Sequence, residues 1–125
     1  MAQTARIGVT GLGTMGAALA LNIAQSGFGV AVHNRSPARV DALVARAGPL
    51  AERIVPTRDL DAFVAALDRP RTILVMVPAG AAVRDTIAAL APMLEAGDTL
   101  IDAGNADFHD TRATAAEMAA RGMHF

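Results

Sequence analysis

Three glycines, Gly11, Gly13 and Gly16, keep the spacing G-x-G-x-x-G inside "IGVTGLGTMGAALALNIAQSG" (Ile7 to Gly27), where an apolar run gives way to an alanine- and leucine-rich stretch. Glycines so spaced, between a strand and a helix, serve to cradle a dinucleotide pyrophosphate. Gly11 permits a tight turn, Gly13 lets a phosphate approach the backbone without meeting a Cβ, and Gly16 allows the helix to pack closely on the strand. The helix N-terminus then offers unpaired N–H groups and about half a positive charge to the phosphates. A glycine-containing turn with no ligand is the alternative, and the strand-turn-helix context weighs against it.

The second informative stretch is "HNRSP". Dinucleotide sites that take NAD usually place Asp or Glu about 20 residues beyond the glycines, on the ribose 2'-hydroxyl, whereas arginine there suits a 2'-phosphate. The first acidic residue of the chain is Asp41, inside the following helix, while Asn34, Arg35 and Ser36 supply a guanidinium and two neutral hydrogen-bonding side chains. NADP is therefore the expected coenzyme; the competing reading makes Arg35 a solvated loop arginine. His33, His109 and His124 are scattered without i, i+4 spacing, so neither a metal site nor a catalytic histidine is expected. Asp102 ends an apolar strand and reads as a structural loop residue before a ligand contact. Asn105 follows a glycine, as in many turns, yet it falls at the carboxyl edge of a parallel sheet, where ligands of such folds bind. All eleven basic residues other than histidine are arginine, and arginine, with a pKa above about 12, cannot act as a base.

The elements that position these residues alternate. "ARIGVT" (Ala5 to Thr10) reads as a buried strand and "MGAALALNIAQS" (Met15 to Ser26) as a helix stopped by Gly27. "GVAVHN" (Gly29 to Asn34) is a second strand. Ser36-Pro37 starts a helix, with a capping hydroxyl and proline at the first position, and Val40, Leu43 and Val44 form its apolar face up to Gly48-Pro49. "RIVP" is a weak third strand, and Arg58 to Asp68 a helix with Leu60, Phe63, Val64 and Leu67 at helical spacing. "RTILVMV" (Arg71 to Val77) is the clearest strand; Val83, Ile87, Leu90 and Leu94 then mark one face of a helix reaching Gly97. "DTLIDAG" (Asp98 to Gly104) is a fifth strand, Asp107 opens a last helix to about Arg121, and "GMHF" begins a sixth strand that is cut short. Strands separated by helices imply right-handed crossovers and an α/β, doubly wound parallel sheet forming one domain over residues 1–125.

Composition agrees. A chain of 125 residues, 53% hydrophobic, suits a single domain, and its net charge of -1 provides no basic field for nucleic acid or an anionic membrane. A small-molecule partner is expected. The absence of cysteine excludes disulfides, thiolate metal sites and a cysteine nucleophile, and fits a reducing compartment. The start "MAQTARIGV" lacks the apolar core of a signal peptide, and every apolar run is interrupted before the roughly 18 to 20 residues a membrane span needs. A cytoplasmic setting without membrane contact is expected.

"GVTGLGTMGAALALNIAQSGFGVAVHNRSP", "VMVPAGAAVRDTIAALAPMLEAGDTLIDAGNADFHDTR" and "AARGMHF" together resemble the coenzyme-binding, Rossmann-type domain of 6-phosphogluconate dehydrogenases, the decarboxylating enzymes of the pentose phosphate pathway. The Asn-Arg-Ser triplet and the segment Ile-Asp-Ala-Gly-Asn-Ala-Asp are its most specific parts. The resemblance implies NADP contacts at Gly11, Leu12, Gly13, Thr14, Met15 and Gly16, at Asn34, Arg35 and Ser36, at Val77, Pro78 and Ala79, and at Asn105, which also reaches the substrate. It implies oxidation of 6-phosphogluconate at C3 with hydride transfer to NADP, decarboxylation to ribulose 5-phosphate, and a homo-oligomeric full enzyme. Two positions depart from the family pattern. Pro78 stands where many members have lysine and is more like 3-hydroxyisobutyrate dehydrogenases, and Ala103-Gly104-Asn105 replaces the usual Gly-Gly-Asn. The family's Ser-Gly-Gly segment, general-base lysine, proton-donating glutamate and helical catalytic domain are absent from this sequence, so the chain alone is expected to be truncated, with no catalytic residue and no turnover. A 3-hydroxyisobutyrate dehydrogenase-type oxidoreductase and a non-catalytic dinucleotide-binding module are the alternatives.

Overall fold

The computed structural model describes residues 5–77, 81–102, 119–120 and 122. The strands are β1 (Ile7–Thr10), β2 (Val30–His33), β3 (Ile54–Pro56), β4 (Thr72–Val75) and β5 (Thr99–Asp102). Between them run α1 (Thr14–Gln25), α2 (Pro37–Ala47), α3 (Leu60–Ala65) and α4 (Ala81–Leu90). All strand pairs are parallel, in the order β3-β2-β1-β4-β5. The order reverses direction between β1 and β4, and in such sheets ligands bind outside the carboxyl ends of the strands flanking that point.

Two apolar layers cover the sheet, which is why its central strands read as nearly unbroken apolar runs. On one face α1 and α2 lay Ala17, Ala20, Ala24, Val40 and Leu43 over Val9, Val30, Val32 and Ile54. On the other, α3 and α4 bring Phe63, Val64, Val83, Ile87 and Leu90 over Ala31, Ile73, Val75 and Leu100. Gly8 makes room for the second layer, since a Cβ there would lie 2.6 Å from Phe63 Cζ.

The boundaries differ from the sequence expectation where local chemistry intervenes. Ala5 pairs only in an isolated bridge to Leu67, outside β1. Gly48-Pro49 ends α2 as expected, and a 3-10 turn over Gly48–Arg53, not read from the sequence, leads into β3. α3 is shorter than Arg58 to Asp68 because Asp59, in extended conformation, caps it by accepting from Ala62 N at 2.7 Å. Leu94 is not on the α4 face: Pro92 lacks an amide donor, the chain tightens into a 3-10 turn at Ala91–Met93, and Leu94 is extended. The helix expected from Asp107 lies outside the described residues except Ala119 and Ala120, which are helical, and so does the sixth strand.

Candidate functional site

The chain leaves β1 through Gly11, whose φ of +96° is one that side-chain-bearing residues rarely adopt. A Cβ there would also lie 2.7 Å from the Met76 carbonyl carbon, so turn geometry and close approach both demand glycine. Gly13 is the N-cap of α1 and has nothing within 4 Å of where a Cβ would project. Gly16, on the first turn, faces the Gly11 carbonyl so closely that no Cβ fits. The third glycine thus presses the helix onto the turn itself and onto Met76, beyond the end of β4, rather than onto the body of the strand. Ala17 N donates to Gly13 O at 2.9 Å, which leaves the amides of Thr14, Met15 and Gly16 ahead of the first helical bond. No side chain caps this end and its first turn carries no acidic residue. Open space above Gly13, facing free amides at a helix N-terminus, fits an approaching phosphate.

The turn after β2 is tied to that loop. Leu12 N donates to Asn34 Oδ1 at 2.7 Å, and Asn34 Nδ2 donates to Ser36 O at 3.1 Å. Gly11 N donates to His33 O at 2.9 Å. Asn34, read from sequence as a ribose neighbour, is here the brace between the glycine loop and the arginine turn. Ser36 occupies the N-cap of α2 with Pro37 behind it, but its hydroxyl makes no capping bond. Its place beside the amide-rich start of α2 leaves the hydroxyl available to a ligand. Arg35 is exposed and forms no hydrogen bond or ion pair among the described residues.

Two cations that the sequence reading passed over also face this region. Arg39, in the first turn of α2, donates from its guanidinium to Leu12 O at 3.4 Å. A cleft of about 160 Å³ lies between α1 and α2, with Gly13, Thr14 and Ala17 on one side and Arg39, Leu43 and Arg46 on the other. The i, i+7 spacing of Arg39 and Arg46 was the available signal that both share one side of the helix; that this side faces α1 is seen only in the cleft they line.

Behind the loop, His33 Nδ1 and Thr10 Oγ1 are 2.9 Å apart, and the imidazole tilts on the Phe63 ring with centroids 5.8 Å apart. Burial pushes the imidazole below its ordinary 6.5, against the Asp59 carboxylate, which favours the charged form. Met76 N, just past the end of β4, donates to Thr10 O at 2.8 Å, and Val77 lies in a bend beyond it. Gly11 to Gly16, Asn34 to Ser36 and Val77 are thus gathered at the carboxyl edge of β1, β2 and β4. Pro78, Ala79 and Asn105, together with His109 and His124, lie outside the described residues. No group of three or more His, Asp or Glu that could hold a metal ion occurs among the described residues, and no helix there is long and apolar enough to cross a membrane.

A family model described as the NAD binding domain of 6-phosphogluconate dehydrogenase matches residues 6–125. The chain is 50% identical over 121 residues to the chloroplastic 6-phosphogluconate dehydrogenase, decarboxylating 2, of Oryza sativa, covering 94% of this chain and 23% of that protein. It aligns with Plasmodium falciparum 6-phosphogluconate dehydrogenase, solved in apo form, with its cofactor NADP+ and with its substrate 6-phosphogluconate, at a TM-score of 0.88 and 28% identity, over 95% of this chain and 26% of that one. Mycobacterium tuberculosis 3-hydroxyisobutyrate dehydrogenase shares the fold at a TM-score of 0.80 and 23% identity, over 98% of this chain and 39% of that one. The chain therefore spans about a quarter of the length of the dehydrogenases it matches in sequence, 23% of the rice protein and 26% of the Lactococcus lactis one.

Proposed function

Because the chain belongs to the family of NAD-binding domains of 6-phosphogluconate dehydrogenase, we propose that it binds NADP, and that in a full-length enzyme it serves the oxidation of 6-phosphogluconate at C3 and its decarboxylation to ribulose 5-phosphate. In this reading residues 1–125 are the coenzyme domain and the catalytic groups lie in a separate helical domain. Cytoplasmic location and self-association of the full enzyme belong to the same proposal.

The observation that carries the coenzyme assignment is the Asn34 brace. It fixes the arginine turn to the phosphate loop through Leu12, so one rigid unit presents both the open space above Gly13 and the unpaired guanidinium of Arg35. Residues Gly11 to Gly16 receive the pyrophosphate on free amides, and Arg35 with Ser36 receives the 2'-phosphate, for which guanidinium geometry is well matched. NADP, when bound, supplies the hydride acceptor. Val77, Pro78, Ala79 and Asn105 complete the proposed contacts, with Asn105 also facing substrate.

The test is a titration of NADPH and NADH into the wild-type chain and Arg35→Ala. A charge-assisted hydrogen bond is worth about 1.5 to 3 kcal/mol, so the wild type should favour NADPH and the variant should lose roughly ten- to a hundredfold of that preference. Equal affinities in the wild type would remove the assignment. The 3-hydroxyisobutyrate dehydrogenase reading is the less favoured, since that likeness stands at the level of fold while the rice relative matches at 50% identity across most of the chain.

A further inference from the structure

We propose that Arg39 is a positioning residue of the phosphate loop: by holding the Leu12 carbonyl toward α2 it keeps the Gly13 N–H turned to the other side, as a ready donor to a dinucleotide phosphate. The inference rests on the dinucleotide reading above, and adds to it a residue that acts through the loop.

Both peptide groups of Leu12 are held by side chains from the segment that follows β2. Its N–H donates to Asn34 Oδ1 at 2.7 Å, and its carbonyl accepts from Arg39 Nη1 at 3.4 Å. Its own side chain is buried in the apolar layer under α1 and α2. Both peptides are trans, so C=O and N–H point opposite ways across each of them. The peptide between Gly11 and Leu12 shows the consequence: with its N–H on Asn34, its carbonyl faces Gly16 on α1. In the next peptide the carbonyl is on the Arg39 side, and the Gly13 N–H is directed away from it. That N–H makes no hydrogen bond among the described residues, and it continues the row of free amides of Thr14, Met15 and Gly16.

Glycine at position 13 creates the need for such a tie. The missing Cβ leaves open space for a phosphate, but glycine also accepts backbone angles closed to other residues. The peptide before it can therefore turn over at little cost, and it would then present the Leu12 carbonyl, the negative end of the dipole, where a donor is required. Asn34 does not prevent this, because it grips the other peptide of Leu12. Arg39 grips this one. Its guanidinium has no carboxylate partner among the described residues, and Asp41, two residues on, is taken by Arg58 at 3.0 Å. Arg46 lines the same cleft but gives the loop no hydrogen bond.

The experiment is calorimetric titration of NAD+, which lacks the 2'-phosphate, into the wild-type chain, Arg39→Met and Arg46→Met. It is run at about 0.1 M and about 1 M salt, between which the screening length falls from about 10 Å to about 3 Å. Both side chains are exposed, so neither substitution disturbs the core. Arg39→Met keeps an unbranched apolar stem and removes the donors. It should weaken NAD+ binding about three- to tenfold, the worth of one ordinary hydrogen bond, and the loss should persist at high salt. Arg46→Met, which removes an equal charge from the same cleft, should match the wild type at high salt. In the ligand-free chain the Gly13 amide resonance should move in Arg39→Met and stay in place in Arg46→Met. Equal losses in the two variants, a loss that vanishes at high salt, or an unmoved Gly13 resonance would overturn the inference. Weakened NADP+ binding with NAD+ binding unchanged would do so too, by making Arg39 a partner of the 2'-phosphate and not of the loop. Failure of the wild type to bind either NAD+ or NADP+ would instead remove the dinucleotide reading itself.

Discussion

Gly13 and Gly16 are three residues apart, yet a side chain fails at each for a different reason. Gly13 has extended backbone angles that any residue adopts, and empty space beyond its missing Cβ. Gly13→Val should therefore leave the circular dichroism spectrum and melting temperature nearly unchanged while abolishing coenzyme binding. Gly16→Val pushes a branched side chain into the Gly11 carbonyl, and overpacking of this kind costs about 1 to 3 kcal/mol. Its melting temperature should fall in the absence of any ligand. If Gly13→Val binds coenzyme normally, the glycines shape a turn and hold no phosphate. The need for glycine at Gly11 was legible in sequence because the turn is local to the strand-turn-helix segment, whereas the packing of Gly16 on that turn and on Met76, rather than on the strand, was not. Nor was the brace made by Asn34, since it joins residues 22 apart and nothing in "HNRSP" says that its amide turns back to Leu12.

At the level of elements, the opposite end of the sheet is closed by an ion pair that no periodicity announces. Arg71, at the start of β4, and Asp98, before β5, are 6% and 2% exposed and meet at 3.1 Å. Asp98 also accepts from Arg71 N at 2.7 Å and Glu95 N at 2.8 Å, while Arg71 Nε donates to Val64 O at 3.2 Å. No fully buried side-chain nitrogen or oxygen of the pair is left without a partner, so the charges are tolerated in the interior. Burial by itself would raise the Asp98 carboxyl; the two amides and the guanidinium outweigh it and hold the group below its ordinary 3.8. A carboxyl depressed in the folded state stabilises fully above its unfolded value and loses that contribution as pH falls through the folded one. Urea midpoints should accordingly be insensitive to this pair above about pH 5 and decline below about pH 4. Asp98→Ala, which strands the guanidinium, should cost about 3 to 5 kcal/mol at neutral pH and flatten that acid limb. A loss below 1 kcal/mol would mean that water replaces the carboxylate. The strands themselves were readable from their apolar runs, and α4 only as far as Pro92. The clasp between β4 and β5 depends on tertiary pairing across 27 residues, where pattern reasoning has no purchase.

For the molecule as a whole, the chain as sequenced should bind NADP+ without reducing it when 6-phosphogluconate is supplied. Hydride transfer needs a base for the substrate hydroxyl, which contributes about a hundred- to ten-thousandfold, and the sequence has no lysine to provide it. Absorbance at 340 nm, beside a longer chain continuing past Phe125, decides the matter; clear NADPH formation by the short chain would show that a base lies among these residues. The two apolar layers also differ in how they are drawn from the chain. Among the described residues, the buried ones under α1 and α2 all fall from Val9 to Ile54, whereas the layer under α3 and α4 draws mainly on Phe63 to Leu100. During synthesis, then, the buried residues described for the first layer are all made once Ile54 is clear of the ribosome, and Leu74 and Met76 join it later from β4 and the residue after it. The glycine turn cannot finish with it, because Gly11 is closed from above by Met76 and Val77. The phosphate cradle, though encoded near the very beginning of the chain, is therefore complete only once the residues that follow β4 are in place.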